Sequence, residues 1–168
     1  MERWVYDVEV FPNLFCATFK NINTQDIKVF SIYDNRNDVY ELEEFVNRDV
    51  LLIGFNNIIY DGAIIQYVIQ NQDADNLLFD LFNFSGKIIN SDRYGFNSET
   101  ARYQRPEHTK YKQLDLMKIN AYDKLGVGLK QCAINLKWHR IQDLPYEYNY
   151  VVKDWTEANL IIEYNLNI

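Results

Sequence analysis

Two acidic side chains, Asp7 and Glu9, stand two residues apart in a segment rich in β-forming residues. The alternation from Trp4 to Val10 predicts a strand, and residues i and i+2 of a strand point to the same face. On a solvated face such a pair is ordinary. At the centre of a sheet, two buried carboxylates repel each other unless cations lie between them, and Mg²⁺ and Mn²⁺ take oxygen ligands of this kind. The pair therefore predicts either a polar surface or a divalent-metal site.

A second polar group follows the apolar run Val50–Phe55, which predicts a buried parallel strand. Asn57 and Asp61 lie between this strand and a helix predicted from about Asp61 to Asn71. Ligands of α/β proteins usually bind where strands end and helices begin. The alternative is that Asn57 or Asp61 simply caps the helix, as these residue types often do.

The third candidate is Tyr164, in a helix that begins at the capping-box pattern Asp154-Trp155-Thr156-Glu157. Position 168 lies four residues farther on the same helical face. A carboxylate there would place a metal ligand beside the Tyr164 hydroxyl, but the residue is Ile168. Taken alone, Tyr164 fits a packing role as well as a functional one.

The elements that must position these residues follow from the remaining pattern. A three-stranded antiparallel meander is predicted first, with strands at Trp4–Val10, Leu14–Lys20 and Ile27–Ile32. Helices and strands then alternate. Besides those given above, we expect a helix at Tyr40–Asn47 capped by Asp38, a strand at Gln113–Leu116 and a helix at Leu129–Leu136. This order predicts one α/β domain over residues 1–168, with a mixed central sheet and flanking helices.

Residues 75–112 are the least regular part of the chain, and we interpret them as a loop-rich insertion. A helix is expected near Leu77–Phe82, followed by a mobile loop around residues 92–109. The basic residues of note gather in and beside this loop: Arg93, Arg102, Arg105, His108, Lys110 and Lys112. The loop is either solvated or an arm that contacts a nucleic-acid strand.

The composition limits the function classes. The net charge of −7 argues against a tight nonspecific nucleic-acid binder, because affinity for phosphates grows with Lys and Arg contacts. It still allows an enzyme that holds metal ions with carboxylates. We expect Cys16 and Cys132 to be reduced thiols rather than a disulfide or metal pair. The sequence has neither an apolar run of the ~18 residues that a membrane span needs nor a recognisable signal peptide, so we expect a cytoplasmic protein, in the host cytoplasm if it is viral.

Taken together, the three polar segments resemble the DEDD exonucleases, in the Tyr-containing subclass found in proofreading DNA polymerases. The matches follow the family's order: Asp7-Val8-Glu9, then Asn57-Ile58-Ile59-Tyr60-Asp61, then Tyr164-Asn165-Leu166-Asn167 as the start of Tyr-x-x-x-Asp. Leu114–Met117 and Gly128–Ala133 also resemble segments that lie between the second and third motifs in family-B-like polymerases of the phage type. The resemblance spans nearly the whole chain and implies an RNase H-like fold.

The resemblance implies hydrolysis of the 3′-terminal phosphodiester of DNA by two cations, Mg²⁺ or Mn²⁺, about 3.5–4 Å apart. In that mechanism Asp7 bridges both ions, Glu9 binds the ion that carries the attacking water, and Asp61 holds the second ion. Tyr164 orients the water through its hydroxyl. The implied partners are the 3′ end of single-stranded DNA and a polymerase domain. The implied nucleic-acid contacts come from Phe11, Asn57, Tyr60 and Lys130, with a core position as the alternative for Phe11 and a bracing role for Asn57.

One position departs from the family. The fourth carboxylate is expected at position 168, where this chain has Ile168. Isoleucine cannot ligate a metal, so we expect a weak or inactive nuclease, and a fragment of a longer polymerase that stops within its last motif. Two alternatives stay open. One is a non-catalytic nucleic-acid- or polymerase-binding fragment of the same fold, and the other is an unrelated α/β domain whose carboxylates lie on the surface.

Overall fold

The structure is a computed structural model that describes residues 1–91, 99–109, 111–120 and 127–167. Its centre is a six-stranded mixed sheet in the order β4-β3-β2-β1-β5-β6. Strands β1 to β4 pair in antiparallel fashion, and β1, β5 and β6 are parallel. The strands are β1 (Glu2–Phe11), β2 (Leu14–Asn21), β3 (Ile27–Tyr33), β4 (Arg36–Asn37), β5 (Val50–Gly54) and β6 (Lys112–Asp115).

Six α-helices and one short 3-10 helix accompany the sheet in the described part of the chain. They are α1 (Val39–Val46), α2 (Asp61–Gln70), α3 (Leu77–Ile89), the 3-10 helix (Pro106–His108), α4 (Leu116–Asn120), α5 (Leu129–Asn135) and α6 (Trp155–Asn167). None of the helices in the described ranges combines the length and the hydropathy that a membrane crossing requires.

Strand β1 separates two cores, because its side chains alternate between the two faces of the sheet. Trp4, Tyr6, Val8 and Val10 are buried in the larger core, together with the apolar residues of α1, α2 and α3. The intervening positions face the other way. There, Phe11 belongs to a smaller core that α6 covers. Asp7 and Glu9 share that face with Phe11, so the alternation places both carboxylates on the α6 side of the sheet.

Phe45 of α1 holds the larger core together from one side. Its ring lies 4.9 Å from that of Phe19, 5.1 Å from that of Trp4 and 5.5 Å from that of Phe30. Full burial of such a side chain contributes about 1.5–3 kcal/mol. These contacts join β1, β2 and β3 to α1 and so fix the strand that carries Asp7.

Helix α6 is attached to the sheet by capping and by a clasp near its start. Asp154 accepts hydrogen bonds from the backbone N–H groups of Thr156 (2.8 Å) and Glu157 (3.0 Å), as the capping-box pattern predicts. The Glu157 carboxylate accepts from Lys153 N–H at 2.9 Å, one residue earlier than in the usual reciprocal pair. The Asn13 side chain bonds both the N–H and the C=O of Val152, at 2.9 and 2.8 Å. The clasp ties the helix to the β1–β2 turn.

Most predicted elements are confirmed, with three corrections. Helix α3 is longer than predicted, because it extends to Ile89 and its apolar face, with Tyr103 and Tyr111, enters the larger core. Of the predicted mobile loop, residues 92–98 lie outside the described residues. Strand β6 ends at Asp115, since Leu116 already begins α4. Asp38 makes no side-chain cap for α1; its carboxylate accepts instead from Ser31 N–H and Arg36 Nε. Within the predicted basic loop, Arg93 and Lys110 lie outside the described residues.

Candidate functional site

The site arises where β1 continues past the end of β5. The parallel pairing of the two strands ends at Val5 and Ile53, whereas β1 runs on to Phe11 along β2 alone. The Val8 amide on this edge therefore has no strand partner and donates to Asp61 Oδ1 at 3.1 Å. An unpaired buried amide costs about 1–3 kcal/mol, so this bond stabilises the arrangement. It brings the first carboxylate of α2 to the strand that carries Asp7 and Glu9.

Asp115, the last residue of the neighbouring strand β6, holds the turn between β5 and α2. Asp115 Oδ1 accepts from the backbone N–H of Asn56 at 2.9 Å and from that of Met117 at 3.0 Å. Asn56 has a left-handed backbone with φ of 60°, a conformation that Asn tolerates better than most residues. Its carbonyl then accepts from Ile59 and Tyr60 N–H groups, both at 3.2 Å. Asp115 thereby fixes the start of α2 and the position of Asp61.

Asn57 braces the same turn from inside. Its side chain is fully buried, and in the amide orientation that satisfies its neighbours the nitrogen donates to the carbonyls of Gly54 and Leu114, each at 3.2 Å. The Tyr6 hydroxyl lies 3.2 Å from the same amide. Gly54 leaves room for this approach, since a Cβ atom there would lie 2.7 Å from Asn57 Cβ. The bracing role is thus the alternative that the geometry supports for Asn57.

Helix α6 contributes Tyr164 and Asn165. Asn165 is 5% exposed, and its Nδ2 donates to the backbone carbonyl of Asp7 at 3.2 Å. This bond places the end of α6 directly against the middle of β1. Tyr164, the preceding residue, is partly exposed and lies within electrostatic reach of both Glu9 and Asp7.

The three carboxyl groups perturb one another. Burial raises the pKa of Asp7 to about 6, while the nearby Val8 amide and the Asp61 carboxyl group oppose the shift. Burial and then the charge of Asp7 raise the pKa of Glu9 to about 8. Asp61 is 4% exposed, and burial followed by the charge of Asp7 raises its pKa well above the ordinary value. Three acidic groups therefore share a poorly solvated space in which their negative charges are unfavourable.

The neighbouring phenols respond to the same charges. Burial, followed by the charges of Glu9 and Asp7, raises the pKa of Tyr164 to about 12, so the phenol keeps its proton at neutral pH. Burial is also the main cause that raises the pKa of Tyr60, and its hydroxyl shares a 2.8 Å hydrogen bond with Ser85 Oγ. Cys16, directly opposite Glu9 on β2, is a buried free thiol whose pKa is raised by burial and then by the charges of Glu9 and Asp7.

The oxygen-only donor set of Asp7, Glu9 and Asp61 suits hard divalent cations, and a bound cation would relieve the repulsion among the three groups. Asp61 currently directs one carboxylate oxygen to the Val8 amide. Among the described residues, no group of three or more His, Cys, Asp or Glu side chains has the arrangement of a metal site. By their chemistry the three carboxyl groups fit Mg²⁺ or Mn²⁺, although in this structure they do not have the arrangement of a metal site.

The other residues predicted to contact nucleic acid differ in their exposure to solvent. Phe11 is 0% exposed in the smaller core, so in this conformation it offers no face to a base and the core alternative applies. Tyr60 is partly exposed beside the carboxylates. Lys130 is exposed on α5 and forms a 2.5 Å ion pair with Asp143, whose charge also contributes to the raised pKa of Tyr164. Ile168 lies outside the described residues.

Two residues of the site were not predicted from the sequence. Asp115 is 4% exposed, and its second oxygen, Oδ2, is buried without a hydrogen-bond partner among the described residues. A signal for it existed, because an acidic residue lies within the otherwise uncharged predicted strand at Gln113–Leu116. Asn165 is the other, and its place directly after Tyr164 was the only hint.

No protein-family model, no curated protein and no solved structure matches the chain significantly.

Proposed function

We propose that this chain is a metal-dependent 3′–5′ exonuclease domain of the Tyr-containing DEDD kind, with an RNase H-like fold. One observation carries the proposal: Asp61 of α2 accepts from the amide of Val8, between Asp7 and Glu9, and Asn165, the neighbour of Tyr164 on α6, donates to the carbonyl of Asp7. The pKa values of Asp7, Glu9 and Asp61 are all raised by burial and by their mutual charges. Carboxylates with raised pKa values that converge in this way are typical of functional sites. The proposed substrate is the 3′ end of single-stranded DNA, and the proposed partner is a polymerase domain.

Asp7, Glu9 and Asp61 would hold the cations, Mg²⁺ or Mn²⁺. When bound, such ions supply an activated water and stabilise the negative charge that develops on the leaving oxygen. In the hydrolysis a water oxygen forms a bond to the terminal phosphorus, the bond from phosphorus to the 3′ oxygen breaks, and that oxygen gains a proton. The products are a nucleoside 5′-monophosphate and a strand one nucleotide shorter.

The residues of this chain position the reactants. Tyr164 stays protonated at neutral pH, because its pKa is about 12, so its hydroxyl orients water through a hydrogen bond rather than as a base. Asn165 keeps Tyr164 in register with Asp7, and Asp61 is fixed by its bond to Val8. Accurate placement of catalytic groups contributes strongly to the reaction rate, since a displacement of about 1 Å can reduce the rate about 10²-fold.

Ile168 makes the proposed activity low. An aliphatic side chain stands where the family's fourth carboxylate is expected. By comparison, loss of a single charge-stabilising donor in an enzyme costs about 10²–10³ in rate. We therefore propose that Ile168→Asp restores hydrolysis to a chain that is otherwise weak or inactive.

The test compares the unaltered chain with Ile168→Asp on a single-stranded oligonucleotide labelled at its 5′ end, in Mn²⁺ and in Mg²⁺. The expected result is a ladder of products shortened from the 3′ end, stronger for Ile168→Asp, and absent when Asp7→Ala is added. Asp75→Ala, at an exposed position on the α2–α3 connection, is the matched control and should leave the ladder unchanged.

A folded Ile168→Asp chain that leaves the oligonucleotide intact with both metals would refute the proposed catalysis. The alternative of a non-catalytic nucleic-acid- or polymerase-binding fragment would then take its place. Cleavage at internal positions, or cleavage that survives Asp7→Ala, would also refute the proposal, because neither outcome fits a 3′-end site built on this carboxylate.

A further inference from the structure

Exposed apolar side chains gather on α5 and the residues that follow it. None of the seven residues of α5 is buried. Beyond its end, Leu136 is 81% exposed and Trp138 is 45% exposed, and the exposed apolar residues nearby are Leu129, Ile134 and Ile141. Monomeric proteins seldom leave such a stretch uncovered, which indicates that it contacts a ligand or partner.

The same stretch is basic in an otherwise acidic protein. Lys130, Lys137 and Arg140 lie between Val127 and Gln142, and these sixteen residues include no Asp or Glu, although the whole chain carries a net charge of −7. Positive charge interleaved with an exposed aromatic ring matches unpaired nucleic acid, which presents phosphates and stackable bases together. In a symmetric dimer this stretch would face its own copy and set cations against cations, so the charge pattern favours a single strand as the occupant.

The turn after α5 presents these side chains in a fixed conformation. Lys137 has a left-handed backbone with φ of 55° and its N–H donates to Ile134 O at 3.0 Å, while Trp138 N–H donates to Ala133 O at 2.9 Å. This is the Schellman arrangement, in which glycine is the preferred residue at the position of Lys137. The motif ends the helix and directs Lys137 and Trp138 into solvent.

Two contacts connect this turn to the carboxylate site. Arg140 Nη1 donates to Asn167 Oδ1 at 3.2 Å, and Asn167 lies on α6 one helical turn beyond Tyr164. Lys130 pairs with Asp143, which is close enough to Tyr164 for its charge to affect that phenol. The basic turn thus adjoins the end of α6 that carries the third motif.

We propose that Lys137, Trp138 and Arg140 form a binding surface for single-stranded DNA, on the 5′ side of the nucleotide at the carboxylate site. Trp138 stacks on a base, and Lys137 and Arg140 contact phosphates. The assignment of the 5′ side rests on the proposed function, whereas binding itself needs no hydrolysis.

The test measures the affinity of the full chain for fluorescein-labelled oligothymidine, sixteen nucleotides long, by anisotropy in EDTA. Trp138→Ala should weaken binding about 10-fold, within the range for loss of one stacked base. Trp138→Phe should retain most of the affinity. Tyr40→Ala removes an aromatic side chain that is 71% exposed on α1, and this control should have no effect.

The charges are tested by salt dependence. Lys137→Gly keeps the turn, because glycine adopts the left-handed conformation without strain, and removes only the cation. Lys137→Gly and Arg140→Gln should each reduce the slope of log affinity against log salt by about 0.7, the value for one phosphate contact on a single strand.

The proposal is overturned if the unaltered chain does not bind the oligonucleotide, or if Trp138→Ala binds as tightly as the unaltered chain. It is also overturned if Trp138→Ala changes a dimer to a monomer in sedimentation without changing the affinity, since the stretch would then be covered by a second copy. An inactive Ile168→Asp chain that still shows the Trp138 effect would refute the proposed hydrolysis and leave the binding surface standing.

Discussion

Replacing Asp7 with Asn should stabilise the metal-free protein while it removes the proposed activity. The folded state holds the proton of Asp7 more tightly than the unfolded state, because its pKa is about 6 instead of the ordinary 3.8. Ionising Asp7 therefore destabilises the fold, and this effect is absent below pH ~3.8 and complete above pH ~6. The gap of about 2.2 between the two pKa values corresponds to about 3 kcal/mol.

Partial access of Asp7 to solvent reduces the expected gain to about 2 kcal/mol, or about 4–8 °C in Tm for a domain of this size. The assay is thermal unfolding followed by circular dichroism in EDTA at pH 8 and at pH 5, where the gain should shrink. Asp75→Asn, on the exposed α2–α3 connection, is the control and should change Tm little at either pH. An Asp7→Asn protein that is no more stable than the unaltered chain at pH 8 would refute the claim that these carboxylates are crowded.

Three further substitutions test separate parts of the structure. Tyr164→Phe, made together with Ile168→Asp, should slow hydrolysis about 10²-fold while Mn²⁺ binding is unchanged; an unchanged single-turnover rate would exclude the orienting role. Gly54→Ala should destabilise the protein by about 1–3 kcal/mol in urea unfolding, because the new Cβ atom would lie 2.7 Å from Asn57 Cβ. An unchanged unfolding midpoint would show that the turn between β5 and α2 is not tightly packed. Asp154→Ala should cost about 1 kcal/mol in the same assay through loss of the α6 cap, and a cost near zero would mean that the clasp at Asn13 holds the helix without it.

Much of the fold follows from local patterns in the sequence. The alternation in Trp4–Val10 identifies β1, and the apolar run at Val50–Phe55 identifies a buried parallel strand, because both patterns report directly on burial. Helix α3 shows where this reasoning fails. Gly86 and the polar residues around it predict a short helix, yet α3 continues to Ile89, because Phe84 and Ile88 enter the core and offset the cost of about 1 kcal/mol for an internal glycine.

The acidic residues of the candidate site could be named from the sequence, but the residues that hold them in position could not. The spacing of Asp7 and Glu9 places two carboxylates on one face, and the position of Asp61 at a helix start places a third near a strand end. Their convergence depends on the point at which β5 stops pairing with β1, and that register is a tertiary property. Asp115 and Asn165 act through backbone groups of distant elements, so their roles have no local signature.

Binding of Mn²⁺ tests most directly whether Asp7, Glu9 and Asp61 form one cation site. Electron paramagnetic resonance measures the free Mn²⁺ that remains in the presence of the protein, and the measurement does not require hydrolytic activity. The account predicts that the unaltered chain and Asp75→Asn bind Mn²⁺ alike, and that Asp61→Asn weakens binding about 10-fold or more. Failure of the unaltered chain to bind Mn²⁺, or equal binding by Asp61→Asn, would contradict it.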